Sequence, residues 1–164
     1  MARLAPLYPV KPVNVGARLR GLPANGELAF MPGWRWIHTP GHSVRHVSFW
    51  RPADRTLIAG DAIVTTDQES AYSAVTQAPE IHGPPRYFTV DWDAARSSVE
   101  ALSALHPATI VSGHGRALSG PDLVRAIDEL ARRFDSIARP REGRYLTHPA
   151  HVEDGSAYLA PSAA

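Results

Sequence analysis

Trp36-Ile37-His38-Thr39-Pro40-Gly41-His42-Ser43 is the stretch on which the reading of this chain turns. A short aromatic and aliphatic run gives way to Thr-Pro-Gly, and a histidine follows the glycine at once. The same grammar recurs downstream as Leu57-Ile58-Ala59-Gly60-Asp61 and as Ile110-Val111-Ser112-Gly113-His114-Gly115. Each is a strand-like apolar run that ends near a residue able to bind metal, with glycine beside it. A side chain at a strand end is held by the sheet yet points beyond it, and glycine lets backbone approach closely. Three such strand ends can converge on one cation.

Outward from these points the chain reads as short strands and two helices. Glu27 to Met31 and Trp34 to His38, separated by Pro32-Gly33, predict a hairpin. His46 to Trp50 alternates polar and apolar as a half-buried strand does, and a turn at Pro52 to Arg55 leads into a strand over Thr56 to Asp61. Trp34, Trp36, Phe49 and Trp50 read as core. Thr65 to Val90 is polar and turn-rich, a long loop with one helical turn near Ser70 to Ala74. Asp91 is placed to cap a helix from Trp92 to about Leu105, with Ala95, Val99, Leu102 and Leu105 at three- and four-residue steps; Pro107 ends it at or before His106. A strand over Ala108 to Val111 follows. A second helix runs from Pro121 to about Ile137 with Leu123, Ile127, Leu130 and Phe134 on one face. Residues 1–25, with Pro6, Pro9, Pro12 and Pro23, read as an irregular lead-in, and residues 138–164 as a tail that is partly disordered.

The chain has 164 residues, about one domain's worth. Its 44% hydrophobic and 20% charged content and mean hydropathy of −0.21 exclude collagen-like and acidic disordered classes. No run of 18 apolar residues occurs, and the first residues hold no apolar stretch long enough for a signal-peptide core. A cytoplasmic location, with no membrane contact, is the expectation. Cysteine is absent, so any metal must sit on histidine and carboxylate. Seventeen basic against sixteen acidic residues leave a net charge of +1, which gives no bulk attraction to nucleic acid. Arg132, Arg133, Arg139, Arg141 and Arg144 form a basic cluster, but acids lie nearby and no aromatics are interleaved, so it reads as a solvated face.

Taken in order, His38-Thr39-Pro40-Gly41-His42-Ser43, Leu57-Ile58-Ala59-Gly60-Asp61 and Val111-Ser112-Gly113-His114-Gly115 resemble the second half of the metallo-β-lactamase-fold hydrolases, the superfamily of glyoxalase II. The resemblance covers about Trp34 to Gly115 with the following helix. It implies an α/β chain forming, over residues 26–137, the C-terminal half of an αββα sandwich. It also implies that His42 completes a first metal site, that Asp61 bridges two metals and is the catalytic carboxylate, and that His114 belongs to the second site. Zinc, as one or two ions, suits imidazole and carboxylate. The implied activity is metal-dependent hydrolysis of a thioester, lactam, phosphoester or other ester-like bond of a small-molecule substrate by metal-activated water.

One departure stands out. The family's other ligands come from a His-x-His-x-Asp-His motif, and this chain has no two histidines separated by a single residue; they fall at 38, 42, 46, 82, 106, 114, 148 and 151. The aspartate that orients or deprotonates the attacking water belongs to the missing motif as well. The expectation is therefore a truncated or late-started version of a longer protein, inactive alone. The alternative is a non-catalytic remnant or binding module. Strands this apolar leave a sheet face to be covered, so a homo-oligomer or a separately encoded first half is expected as partner.

The remaining histidines divide by context. His46 reads either as an outer-shell partner that orients a ligand or as a strand-edge polar residue. His38, His42 and His46 recur every four residues, but Pro40 and Gly41 argue against the helix that would align them. His82, in a Gly-Pro-Pro loop, reads as an exposed loop residue rather than a pocket wall, and His148 and His151 as solvated.

Overall fold

Alternation along two five-residue strands decides which way the sheet faces. In the computed structural model, which describes residues 16–143 and 145–153, β2 (Val47–Arg51) and β3 (Thr56–Gly60) each bury every second residue. β1 (Arg35–His38), β4 (Thr109–Ser112) and β5 (Leu118–Ser119) complete a five-stranded sheet in the order β1-β2-β3-β4-β5. All neighbours are antiparallel except β3 and β4, which run parallel. A parallel pair needs a crossover, and here it carries α1 (Ala71–Thr76) and α2 (Trp92–Ser103). α3 (Asp122–Arg132) and α4 (Phe134–Ile137) follow β5. The α/β reading is thus the observed fold.

The helices cover one face. Trp50, Leu57, Ala59 and Ile110 from the sheet pack with Trp92, Ala95, Val99 and Leu102 of α2 and with Leu123, Ile127 and Leu130 of α3. Phe134 joins them beside Trp92, ring centroids 6.2 Å apart. On the other face the register sets Trp36 beside Phe49, Phe49 beside Ile58, and Ile58 beside Val111. This makes one apolar row across four strands, and none of its members belongs to the buried core. Of the four aromatics read as core, only Trp50 is there; Trp36 and Phe49 lie on the opposite face, and Trp34 is stacked under the Arg51 guanidinium, 4.6 Å from its ring.

Several boundaries differ from expectation for identifiable reasons. Glu27 to Met31 forms no strand: one bridge joins Glu27 to Arg35, and turn bonds from Met31 N–H to the Leu28 carbonyl and from Trp34 N–H to the Met31 carbonyl coil the rest. The second helix is broken at Arg133, whose φ of −115° and ψ of 24° leave helical space and separate α3 from α4. Asp91 caps α2 as read, accepting the N–H groups of Asp93 and Ala94. That helix stops two residues early, and His106 takes a φ of 48° before Pro107, which excludes the α region. The stretch from Thr65 to Val90 is less free than a loop: bridges pair Val64 with His82 and Thr65 with Gly115, and Thr65, Thr66 and Thr89 are buried.

Residues 1–15 of the lead-in, and residues 144 and 154–164 of the tail, lie outside the described residues. Within the described part of the tail, Ala150 is buried and its N–H donates to the Val90 carbonyl at 3.0 Å. Among the described residues no helix is long and apolar enough to cross a membrane.

Ile127 is fully buried between α2 and the sheet, whereas Tyr72 is 74% exposed on α1. Ile127→Ala is expected to lower the unfolding free energy by about 2–5 kcal/mol through lost burial and a residual cavity. Tyr72→Ala should stay within about 0.5 kcal/mol. Urea unfolding followed by circular dichroism reads both, and equal losses would show that the core is assigned to the wrong face.

Candidate metal centre

The loop after β1 reaches the site because Gly41 lets it press against α2. Gly41 has φ of 132°, a Cβ there would overlap the Ala95 backbone, and its carbonyl accepts the N–H groups of Val90 (2.9 Å) and Asp91 (3.0 Å). His42 is thereby fixed beside the start of the helix. Thr89 gives its hydroxyl proton to the Pro85 carbonyl at 2.8 Å, so an oxygen lone pair faces His42 Nδ1 at 3.5 Å. His42 Nε2 then points at Asp61 Oδ2, 3.3 Å away.

Asp61 follows β3 and is held through its backbone. Its N–H donates to His46 Nε2 at 3.0 Å, which requires that nitrogen to be unprotonated and places the ring proton on Nδ1. Nδ1 faces Thr39, 2.9 Å from its hydroxyl and 3.1 Å from its carbonyl. The hydroxyls of Thr39 and Ser48 lie 2.9 Å apart, and Ser48 donates to the Ala59 carbonyl at 3.0 Å. With Thr39 donating to Ser48, a directional chain runs from the Asp61 N–H back to the strand that carries it. His46 thus accepts the backbone N–H of Asp61 and is tied through Thr39 to the interior of the sheet.

His114 enters from the connection between β4 and β5. Its Nε2 lies 3.7 Å from Asp61 Oδ1, beyond hydrogen-bond reach. Oδ1 is buried and, among the described residues, has no hydrogen-bond partner. Gly113 donates its N–H to the Gly60 carbonyl at 2.9 Å, and a Cβ on it would overlap Oδ1. The three predicted strand ends do come together, with Asp61 between the two imidazoles. Their side chains are 16%, 26% and 44% exposed for His42, Asp61 and His114, so the group sits at the sheet's rim and is open to solvent on the His114 side.

Burial pushes the His42 imidazole below its ordinary value; Asp61 works against that, while His46 and His114 add to it. Burial likewise lowers His46, opposed by Asp61 and by the Thr39 carbonyl. Both rings are thus kept neutral near pH 7, the form in which imidazole coordinates metal. Two imidazoles and a carboxylate with an orphaned buried oxygen have the donor chemistry for a zinc-like divalent ion. Among the described residues, however, no group of three or more histidine, aspartate or glutamate side chains is closed tightly enough to hold one. The donors fit part of a coordination sphere and fall short of a whole one.

The other candidates stand apart. His38 is exposed at the end of β1, its Nε2 3.1 Å from the Val44 carbonyl, so the four-residue histidine spacing has no helix to align it. His82 is buried rather than exposed, because the bridge to Val64 draws it inward. In the basic cluster Arg133 pairs with Glu129 and Arg139 with Asp93 and Asp135, so these charges are locally balanced; Arg144 lies outside the described residues. Thr39, Ser48, Thr65 and Thr89 all touch the site and were not singled out in the sequence. Thr39 stands beside a Gly-His step and Thr65 four residues past the Gly-Asp step, but nothing in the sequence around Ser48 or Thr89 marks them.

A mixed sheet backed by helices, with histidine and aspartate meeting at three strand ends, defines an α/β protein carrying a metal-type donor set. Residues 10–114 match the family model described as the metallo-beta-lactamase superfamily, which is more than half of the chain, and the chain belongs to that superfamily. It is 39% identical over 137 residues to a probable metallo-hydrolase of Bacillus subtilis, YflN, covering 84% of this chain and 52% of that protein. It is 30% identical over 125 residues to a hydroxyacylglutathione hydrolase of Cereibacter sphaeroides, covering 73% and 43%. The chain spans about half the length of these relatives. Among solved structures it is similar to an archaeal metallo-beta-lactamase superfamily protein from Sulfolobus tokodaii at 20% identity and a TM-score of 0.45, covering 76% of this chain and 41% of that one.

Gly113→Ala places a methyl group where Asp61 Oδ1 lies. The Asp61 carboxyl carbon resonance is expected to shift in the variant, whereas Gly21→Ala, with nothing within 4 Å of its added Cβ, should leave it in place. An unmoved Asp61 signal in Gly113→Ala would show that the close approach does not exist in solution.

Proposed function

We propose that this chain supplies the His42, Asp61 and His114 donors of a zinc-dependent hydrolase centre acting on an ester-like, thioester, lactam or phosphoester bond. The observation that carries the reading is Asp61: its carboxylate is set between the imidazoles of His42 and His114, and a buried oxygen of it that has no hydrogen-bond partner among the described residues is costly unless a cation completes it. Zinc, when bound, acidifies a water and polarises the bond to be cleaved. The chain's own residues would hold it: His42 and His114 would donate ring nitrogen and Asp61 carboxylate oxygen, while His46 keeps the Asp61 backbone in register. The residues of the His-x-His-x-Asp-His motif, including the aspartate that would take the water's proton, are not in this sequence. Three donors leave open positions, so the isolated chain binds zinc weakly and turns over no thioester.

Competition titration with a chromophoric chelator measures this directly. Weak zinc binding by the parent is expected, reduced further by His42→Ala, Asp61→Ala and His114→Ala, with negligible hydrolysis of a test thioester throughout. Two tightly held zinc ions, or turnover abolished by Asp61→Ala, would restore a complete enzyme. Binding unaltered by all three variants would favour instead a binding module without a metal centre.

The apolar row Trp36, Phe49, Ile58 and Val111 supports a partner. Val111 is 38% exposed, and such a row is stable only under another apolar layer. The partner that fits both deficits is a polypeptide bearing the His-x-His-x-Asp-His motif, because a second copy of this chain would cover the row without adding those donors. Light scattering after size-exclusion chromatography should find the chain alone self-associated or prone to aggregate. A monodisperse monomer with a cooperative thermal transition would mean that the face needs no cover.

A further inference from the structure

On the far side of Asp61, the connection that carries His114 is wrapped around one buried threonine. Thr65 is fully buried. Its N–H donates to the His114 carbonyl at 3.0 Å, and its hydroxyl donates to the Arg116 carbonyl at 2.7 Å. The same hydroxyl oxygen lies 3.1 Å from the His114 carbonyl and 3.0 Å from the Ser112 hydroxyl, which in turn donates to the His114 carbonyl at 2.5 Å. Gly115 forms a parallel bridge with Thr65 at φ of 95°, and a Cβ on Gly115 would overlap the threonine. The Ser112–Arg116 segment is thus held from Thr65 by hydrogen bonds at Ser112, His114 and Arg116 and by the bridge at Gly115. His114 is the most exposed of the three candidate donors, and among the described residues no hydrogen bond orients its ring.

We propose that Thr65 is the positioning residue for His114: its hydroxyl fixes the path of the Ser112–Arg116 segment and so aims the ring at Asp61. This rests on the reading of His114 as a metal donor. The neighbouring Thr66 offers an internal contrast, since it is equally buried but its hydroxyl donates to the Ser73 carbonyl in α1 rather than to the Ser112–Arg116 segment. The hydroxyl of Thr65 is the feature at issue, because its backbone bond to His114 survives any substitution.

Thr65→Val keeps the shape and removes the hydroxyl; Thr65→Ser keeps the hydroxyl; Thr66→Val removes a hydroxyl of equal burial elsewhere. Zinc affinity of the full chain is expected to fall about tenfold or more in Thr65→Val, the usual effect of losing an orienting group behind a ligand, and to stay near the parent in the other two. In the zinc-free chain, the His114 ring signals and the amides of Gly113 to Arg116 should move in Thr65→Val alone. Parent-like ring signals and affinity in Thr65→Val would overturn the proposal, as would equal losses in Thr66→Val or Thr65→Ser. If His114→Ala itself costs no zinc affinity, the donor reading fails. The zinc-free spectra still report whether Thr65 sets the ring, so the two failures are distinguishable.

Discussion

The hydrogen bond from the Asp61 N–H to His46 Nε2 is the constraint around which the site is organised. It fixes the tautomer of His46, and that tautomer fixes the direction of every bond behind it, through Thr39 and Ser48 to the Ala59 carbonyl. A polar chain of this kind is tolerated in the interior because each member is satisfied. Glycine at position 60 is part of the same constraint: with φ of 57°, it turns the chain out of β3, and a Cβ there would come within 2.6 Å of His46 Nε2. The sheet thus delivers Asp61 to the rim with its backbone spoken for and its carboxylate left over.

The two imidazoles are delivered differently. His42 depends on glycine pressing a loop onto α2, so its position is tied to the helix layer. His114 depends on a connection between two short strands that is fastened from Thr65 and, at Gly113, from the Gly60 carbonyl. The centre therefore draws on the loop after β1, the end of β3 and the turn after β4, each stabilised by different packing.

Much of this could be read from the residues. The Gly-His, Gly-Asp and Gly-His-Gly steps pointed to three side chains that the fold does bring together, through the order and spacing of the set rather than through any one step. Asp91 as a cap and the face of Leu123, Ile127 and Leu130 were legible for the same reason: side chains three and four apart share a surface. The reading erred where the outcome was set across the sheet. Trp36 and Phe49 have the composition of core residues, yet which face they occupy follows from strand pairing and from where α2 and α3 settle. The break at Arg133 and the burial of His82 arise from tertiary packing that no neighbouring residue announces. Thr65 was invisible for a plainer reason: a threonine in a polar stretch looks like any other until the chain fifty residues on closes around it.

The parallel pairing of β3 with β4 also governs when the donors meet. His42 and Asp61 are brought near each other by antiparallel neighbours that are close in sequence, whereas His114 arrives only after the whole crossover through α2 has been laid down. Closing so long a loop costs chain entropy before any contact repays it, and structures rich in such distant contacts fold slowly. The approach of His114 to Asp61 is thus tied to the distant pairing of β3 with β4, whereas that of His42 is tied to contacts nearer in sequence.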